Sequence, residues 1–456
     1  MQSNQLKLTF CGGVGQVTGA NFLLENDSVK ILIDCGLLQG VATANAWNSA
    51  KFFYNPAEID MLFVTHAHLD HVGRIAKLVK DGFHGVIYST PDTKSLAKLI
   101  MEDALAIMKR EMAREGRGPM YEMGDVERAH ELWKTIPYHA HTEIPGGLSV
   151  YLKDAGHILG SAMIEFSYGK KKIVFTGDLG NSPTPLLKDT ETITDPDYLV
   201  MESVYGDRNH EPVNERKEKL ERIINESVTR GGTLVIPVFS IERTQVILYE
   251  MNSLVETGKI PRVPVFVDSP LAIKVTDIYK TATEHFKPEV QAEIAGGDDI
   301  FNFPKLQFTI NREASEAIDR VSGPKIILAG AGMSNGGRIT HHEMRYLPDP
   351  KSTILFVGYQ SAGTLGREIQ SGVKKIAIQG AKVPIRATVD TIYGYSSHKD
   401  SDHLVEFVSS TKDSVQKVFV VMGETKSALF LVQRLRDYLG VNAVHPELNE
   451  SVILDF

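Results

Sequence analysis

Through the first 200 residues, short apolar runs alternate with polar turns, and several of the runs end in acids or histidines. "VKILIDCG" (29–36), "IDMLFVTHAH" (59–68), "GVIYST" (85–90), "KKIVFTGDLG" (171–180) and "DYLVMESVYG" (197–206) are β-branched and apolar between turn residues, which predicts buried strands. Residues 92–115 instead set Leu96, Leu99, Ile100, Ala104, Ile107 and Met108 at helical spacing, a stripe that predicts a long helix packed on the core. After residue 205 the grammar changes. A polar helix, "ERKEKLERIINESVTR", leads into four strand–loop–helix units with strands "TLVIPVFS", "VPVFVDSP", "KIILAGAGMSNGG" and "STILFVGYQSAG". Strands alternating with helices predict an α/β domain with a parallel sheet and right-handed crossovers. From about 376 the chain returns to the strand-with-polar-end style of its first segment, through "KIAIQGAKVPIRATVDTIYGYSSHKD" and "KVFVVMGE". The economical topology is one domain interrupted by another: a first part over 1–204, an insertion over 205–395 and a last part over 396–456.

Composition narrows the class. At 456 residues the chain exceeds one compact core, and 42% hydrophobic with 23% charged residues is ordinary for a globular protein. No apolar stretch reaches the roughly 18 residues a bilayer span needs, and "MQSNQLKLTF" lacks a basic-then-apolar leader, so no membrane partner is expected. Two cysteines, Cys11 and Cys35, cannot build a disulfide framework or a cysteine-rich metal site, and they fit a reduced cytoplasmic setting. A net charge of −8 argues against broad coating of nucleic acid, though not against chemistry in a local cleft.

"HAHLDH" (66–71) is the densest chemical signal. On an extended strand end, His66 and His68 point to one side, and a helix starting at once aims Asp70 and His71 at a neighbouring point. Imidazole and carboxylate suit zinc, and the spacing suggests two adjacent metal positions rather than one. Four ligands do not complete two sites. His157 in "DAGHILGSA" and Asp178 in "VFTGDLGN" are the strongest further candidates, and Asp34, ending "ILID", could orient a histidine ligand from behind. Singly, each reads as a capping acid or a satisfied core histidine; together they form a pattern. "YHAHTE" (138–143) mimics HxH without the following DH, and His341 and His342 in "THHEM" fit helix capping or phosphate contact better than metal.

The loops after the four later strands hold Ser240, Ser269, Ser334, Gly336, Gly337, Gln360, Ser361 and Gly363, each loop opening a helix whose free N–H groups favour an anion. Arg243, Arg338 and Arg367 add bidentate phosphate donors. Together they predict a track for several phosphates, against the plainer reading of helix caps and surface arginines.

A strand-ending Asp, HxHxDH, "AGHILGSA" and "FTGDLG", in this order, resemble the metallo-β-lactamase fold, an αββα sandwich. With "MESVYGDR", the four-unit insertion and "SSHKD", essentially the whole chain resembles the β-CASP branch of metallo-ribonucleases. That branch includes the nuclease subunit of the cleavage and polyadenylation machinery and its prokaryotic homologues. The resemblance implies one zinc on His66, His68, His157 and bridging Asp178, and a second on Asp70, His71, the same Asp178 and a late histidine. It implies hydroxide attack on phosphorus, Asp70 and Glu202 among the catalytic acids, His398 as the acid for the departing oxygen, and products with a 5′-phosphate and a 3′-hydroxyl. Physically, Glu202 beside His398 would keep the imidazole protonated near neutrality. The chain departs from the family at one place: "VVMGE" puts Met422 where the family has the histidine of "V-H-G-E". A thioether is a poor replacement for imidazole on zinc, so a weaker second site, with manganese competing, is expected.

Three functions are weighed. The first is a zinc-dependent ribonuclease, endo- or exonucleolytic, acting on single-stranded RNA. The second is a non-catalytic RNA-binding homologue, for which only Met422 speaks. The third, a small-molecule metallo-hydrolase, leaves the insertion unexplained. The terminal strand "SVILDF" could pair within the chain or with a second copy as a homodimer.

Overall fold

The computed structural model describes every residue except 1–4, 42, 115, 117 and 362, and the backbone alone of 111–114, 213 and 214. The chain divides into two compact units, one of Met1–Thr184, Lys188–Asn209 and His398–Phe456, the other of Pro185–Leu187 and His210–Ser397. The two junctions fall at Asn209/His210 and Ser397/His398, a few residues beyond the 204/205 and 395/396 junctions expected from the sequence.

The first unit holds two seven-stranded sheets. One runs Ser451–Asp455, Gln5–Gly12, Asn21–Glu25, Lys30–Ile33, Met61–Phe63, Val86–Ser89, Trp133–Thr135. The other runs Ala443–Val444, Lys417–Val420, Tyr198–Met201, Lys171–Phe175, Ala162–Tyr168, Leu148–Asp154, Thr142–Ile144. Their inner faces share one core. Phe10 meets Phe419 at a centroid distance of 5.3 Å, and Phe63 meets Phe166 edge-on at 5.1 Å. The opposite face of the second sheet buries Met163, Val174 and Leu199 against Leu404 and Val408 of the helix Ser401–Ser409 and Leu431 and Leu435 of Thr425–Leu439. Beside the first sheet lies the helix Pro91–Arg114; of the predicted stripe Leu96, Ile100, Ala104 and Met108 are buried, Leu99 is half-buried and Ile107 is exposed, while Met101 and Leu105 are buried as well. The expected αββα sandwich is what the sequence builds, because alternate strand residues have two apolar layers to satisfy.

In the second unit six strands lie in the order Leu306–Phe308, Val265–Asp268, Lys325–Ala329, Thr233–Pro237, Thr353–Phe356, Thr388–Thr391, with every pairing parallel. The four predicted strands are its centre. The segment from about 376, whose style is like that of the first domain, lies up to Ser397 in the second unit: Lys375–Ile378 and Ala381–Pro384 form a separate two-stranded ribbon, and Thr388–Thr391 adds to the second unit's sheet. The reason is packing, since Ile376, Ile378 and Val383 are buried in the second unit's core with Ile354 and Phe356. Among the described residues no helix is long and apolar enough to cross a membrane.

"SVILDF" pairs within the chain, antiparallel to Gln5–Gly12, with Leu6 opposite Leu454 and Leu8 opposite Val452.

Candidate metal centre

The site lies wholly within the first unit and is assembled from strand ends. The strand Met61–Phe63 is followed by residues 64–68, which lie outside any helix or strand, and then by the short helix Leu69–Val72. His157 sits in the loop after Leu148–Asp154, Asp178 just past Lys171–Phe175, and Glu202 just past Tyr198–Met201. Two glycines permit this crowding. A Cβ on Gly36 would lie 1.5 Å from the Asp70 carbonyl, and one on Gly180 would lie 1.8 Å from that of Gly156, so no other residue fits either place.

His66 Nε2 and His68 Nδ1 are 3.1 Å apart, and His157 Nε2 is 3.1 Å from the same His68 nitrogen. Asp178 Oδ2 lies 3.4 Å from His66 Nε2 and 3.6 Å from His157 Nε2. These four side chains offer ligand atoms within 4.8 Å of one another. A tetrahedron with metal–ligand bonds of about 2.0–2.1 Å has edges of about 3.3–3.4 Å, so the donor spacings match a cation of that size. Burial, with neighbouring cationic imidazoles, pushes His66, His68 and His157 below the ordinary histidine range. That leaves them neutral, the form that ligates metal. Asp178 is driven the other way. Burial would raise its carboxyl, but His71 and His66 hold it well below the usual range, as a carboxylate.

His71 Nε2 and Asp178 Oδ1 are buried with no hydrogen-bond partner, and they face each other at 3.5 Å. Asp70 Oδ2 is 4.0 Å from His71 Nε2. Two orphaned buried atoms with an acid beside them fit a second cation, since unpaired buried polar groups are otherwise costly. Asp34 lies behind His71. Its Oδ2 lies 2.7 Å from His71 Nδ1, and its two oxygens accept from the Thr65 N–H and hydroxyl, both at 2.8 Å. A carboxylate on Nδ1 fixes the ring so that Nε2 faces Asp178. Met422 is 2% exposed, packs into the core between the sheets, and lines a void of about 10 Å³ with Asp34, Thr65, His71 and Glu202. The second position therefore has three imidazole or carboxylate donors, where the first has four.

Beside the ligands, His398 Nδ1 lies 3.2 Å from Glu202 Oε2 and 3.9 Å from Asp178 Oδ2. A β-bridge from Gly180 to His398 and the Lys399 N–H bonding the Leu179 carbonyl at 2.9 Å tie the returning chain to the Asp178 loop. The Leu179 N–H in turn donates to Glu202 Oε1 at 2.5 Å. Burial alone would lower the pKa of His398, yet Glu202, then Asp178 and Asp70, raise it to about 9. Burial lifts Glu202 itself above the usual carboxyl range.

The predicted phosphate-loop residues divide. Arg243 is buried and donates to the Val357 carbonyl, and Arg338 gives its guanidinium to Asp268 and to the carbonyls of Thr309 and Ile310. Both hold the second unit's loops together, which commits their donors inside the fold. Ser269 caps its own helix through the Ala272 N–H, Ser334 donates to Glu343, and Gln360 reaches the Gly332 carbonyl. Ser240 and Gly336 are half-buried, while Gly337 and Arg367 are exposed. Of the two decoy stretches, His139 pairs with Glu191 at 2.8 Å, His341 with Asp319 at 3.2 Å and His342 with Asp268 at 2.7 Å.

Three residues that pattern reading does not single out bear on these sites. Thr65 bonds Asp34 and His66 Nδ1, and its only sequence signal is a β-branched residue directly before the ligand run. Ser161 Oγ accepts from the His157 N–H at 3.1 Å, fixing that loop. Phe239, 38% exposed beside Ser240, is an aromatic at a loop that otherwise reads as polar.

The comparisons with known proteins agree with this geometry. The chain matches the Metallo-beta-lactamase superfamily over residues 14–225, the Beta-Casp domain over 244–369 and the Zn-dependent metallo-hydrolase RNA specificity domain over 382–446. It is 36% identical over 420 residues to Ribonuclease TTHA0252 of Thermus thermophilus, covering 92% of this chain and 94% of that one. It is 33% identical over 454 residues to the transcription termination factor FttA of Methanosarcina mazei, covering 96% of this chain and 70% of that one. A crystal structure of a protein of unknown function from Enterococcus faecalis V583 shares the fold at a TM-score of 0.58 and 13% identity, covering 99% of this chain and all of that one. With the sandwich and the inserted domain both matched, the chain belongs to the Beta-Casp family of metallo-β-lactamase-superfamily hydrolases.

Proposed function

We propose that the protein is a zinc-dependent ribonuclease that hydrolyses phosphodiester bonds of single-stranded RNA. The observation that carries the reading is the convergence of ligand atoms of His66, His68, His157 and Asp178 within 4.8 Å, with His71 Nε2 and Asp178 Oδ1 buried without a hydrogen bond, Asp70 beside them and His398 at the same strand ends. The relatives are named as a ribonuclease and as transcription termination factors, which supports RNA as the substrate class.

His66, His68, His157 and Asp178 would hold one ion, and Asp70, His71 and Asp178 a second, more weakly held, for which manganese competes. Bound there, divalent ions lower the pKa of water and neutralise charge on phosphoryl oxygens. The chain supplies the rest. Asp34 and Thr65 set the His71 ring. Glu202 orients His398 and favours its protonated form, the form that can give a proton to the departing ribose oxygen. Ser240, the Gly336–Gly337 backbone and Arg367 remain available to phosphates, and Phe239 offers a ring for a base.

Met422 favours a second reading, an RNA-binding homologue without turnover, because it removes one donor from the weaker ion's position. Labelled single-stranded RNA with added zinc or manganese separates the two. Cleavage by the wild type, lost in Asp178→Ala and His398→Ala, supports the nuclease; binding with no product supports the second reading.

A further inference from the structure

The second unit carries a strongly charged surface that the site chemistry does not use. In the ribbon, Lys375 pairs with Pro384, Ile376 with Val383, Ala377 with Lys382 and Ile378 with Ala381. Opposed residues of an antiparallel pair share a face, so the register sorts the side chains without ambiguity. Ile376, Ile378 and Val383 go inward, 4%, 2% and 5% exposed, into the unit's core. Lys375, Ala377, Lys382 and Pro384 are left on the other face, and Lys374 and Arg386, flanking the two strands, are exposed as well. The core thus pins the ribbon in one register and holds its lysines toward solvent.

None of the four cationic side chains enters a hydrogen bond or an ion pair among the described residues. Elsewhere surface cations commonly have partners, as in Lys7–Glu25, Lys30–Glu58, Lys171–Asp197 and Arg312–Glu316. Residues 369–389 contain no Asp or Glu, so this segment stands at +4 in a chain of net −8. Like charges left together and unpaired repel one another, and an anionic partner relieves that. The outward face offers an alanine and a proline as its only apolar residues, which does not suit an apolar partner. The cations are spread along both strands rather than converging on a point, which suits a row of phosphates better than a single one.

We propose that this ribbon, with Lys374, Lys375, Lys382 and Arg386, is a docking surface for the phosphate backbone of single-stranded RNA, supplying affinity without sequence preference and without a part in the chemistry. It rests on RNA being the substrate. The test compares the full-length wild type, the variant Lys374→Gln/Lys375→Gln/Lys382→Gln/Arg386→Gln, and a control, Lys51→Gln/Lys412→Gln, which removes exposed lysines of the first unit. Binding of a labelled phosphorothioate oligoribonucleotide is followed by anisotropy across a salt titration, and kcat and KM are measured on cleavable RNA.

Each lost phosphate contact flattens the plot of log affinity against log salt by about 0.7, so the ribbon variant is expected to flatten it by about 2–3. Its KM should rise about tenfold at moderate salt while kcat holds, and the control should show neither change. A slope equal to wild type in the ribbon variant, or the same loss per charge in the control, overturns the proposal. The outcomes separate the two readings. A cleaving wild type with a ribbon-independent slope leaves the nuclease and removes the ribbon. Ribbon-dependent binding without cleavage leaves the ribbon and removes the nuclease. A wild type that binds no RNA removes both.

Discussion

Asp178 in the first unit and Asp268 in the second are both buried acids at the ends of strands, both beside histidines, and they have opposite surroundings. Asp268 is fully supplied: Oδ1 accepts from Thr309 at 2.5 Å and Arg338 at 2.6 Å, and Oδ2 from Ser315 at 2.6 Å and His342 at 2.7 Å. Asp178 Oδ1 has no hydrogen-bond partner, and neither has the His71 nitrogen that faces it at 3.5 Å. Burying an ionised carboxylate is tolerable when donors replace water, so Asp268 is explained by the fold alone. Asp178 is not, and a cation between the two facing atoms would satisfy both. A buried acid with histidines is therefore not a site by composition; what marks one is the count of donors against acceptors.

Breaking each side of that contrast gives different losses. The largest effect is expected at the unsatisfied side. Asp178→Ala and His398→Ala should each lower single-stranded RNA cleavage by about 10²–10⁴ with the fold kept, read as product per time and by circular dichroism. At the satisfied side, Asp268→Ala strands Arg338 and His342, and should destabilise the second unit by about 3–5 kcal/mol in a urea titration while leaving metal content unchanged.

A smaller, pH-dependent effect comes from Glu343. Ser334 donates to its Oε1, Oε2 has no partner, and burial raises the carboxyl from 4.5 to about 8. Between those two pH values the folded state keeps a proton that the unfolded chain releases. Glu343's favourable contribution is thus present in full below about pH 4.5 and lost as pH rises through about 8. Glu343→Gln should remove that dependence, so its stability relative to wild type rises by about 1–3 kcal/mol from pH 5 to pH 8 in denaturant titrations at each pH. The smallest effect sharpens the weak ion position. Met422 has a positive φ of 46°, a conformation in which histidine is enriched, so Met422→His suits the backbone. It should tighten the second ion about tenfold, seen as an extra equivalent surviving dialysis.

Much of this contrast could be read before the structure. Ligand types packed into "HAHLDH" have no packing reason to be there, and strand-ending His157 and Asp178 announced convergence once a shared sheet was assumed. The phosphate-loop arginines could not be sorted the same way. Nothing in the spacing of Arg243 or Arg338 says that Val357, Thr309 and Ile310, distant in sequence, turn their carbonyls toward them. The packing of the ribbon was not legible for a related reason. Its alternation of apolar and polar residues is the same whether Ile376 and Val383 face one core or the other, and only tertiary packing decides.

The central claim is that the orphaned donors of the first unit hold divalent cations, and the metal content of the purified protein tests it most directly. Elemental analysis after dialysis should find at least one equivalent of zinc or a comparable divalent ion per wild-type chain, and a large loss in Asp178→Ala. A folded wild-type chain that retains no metal, and takes up none when zinc is supplied, would contradict it.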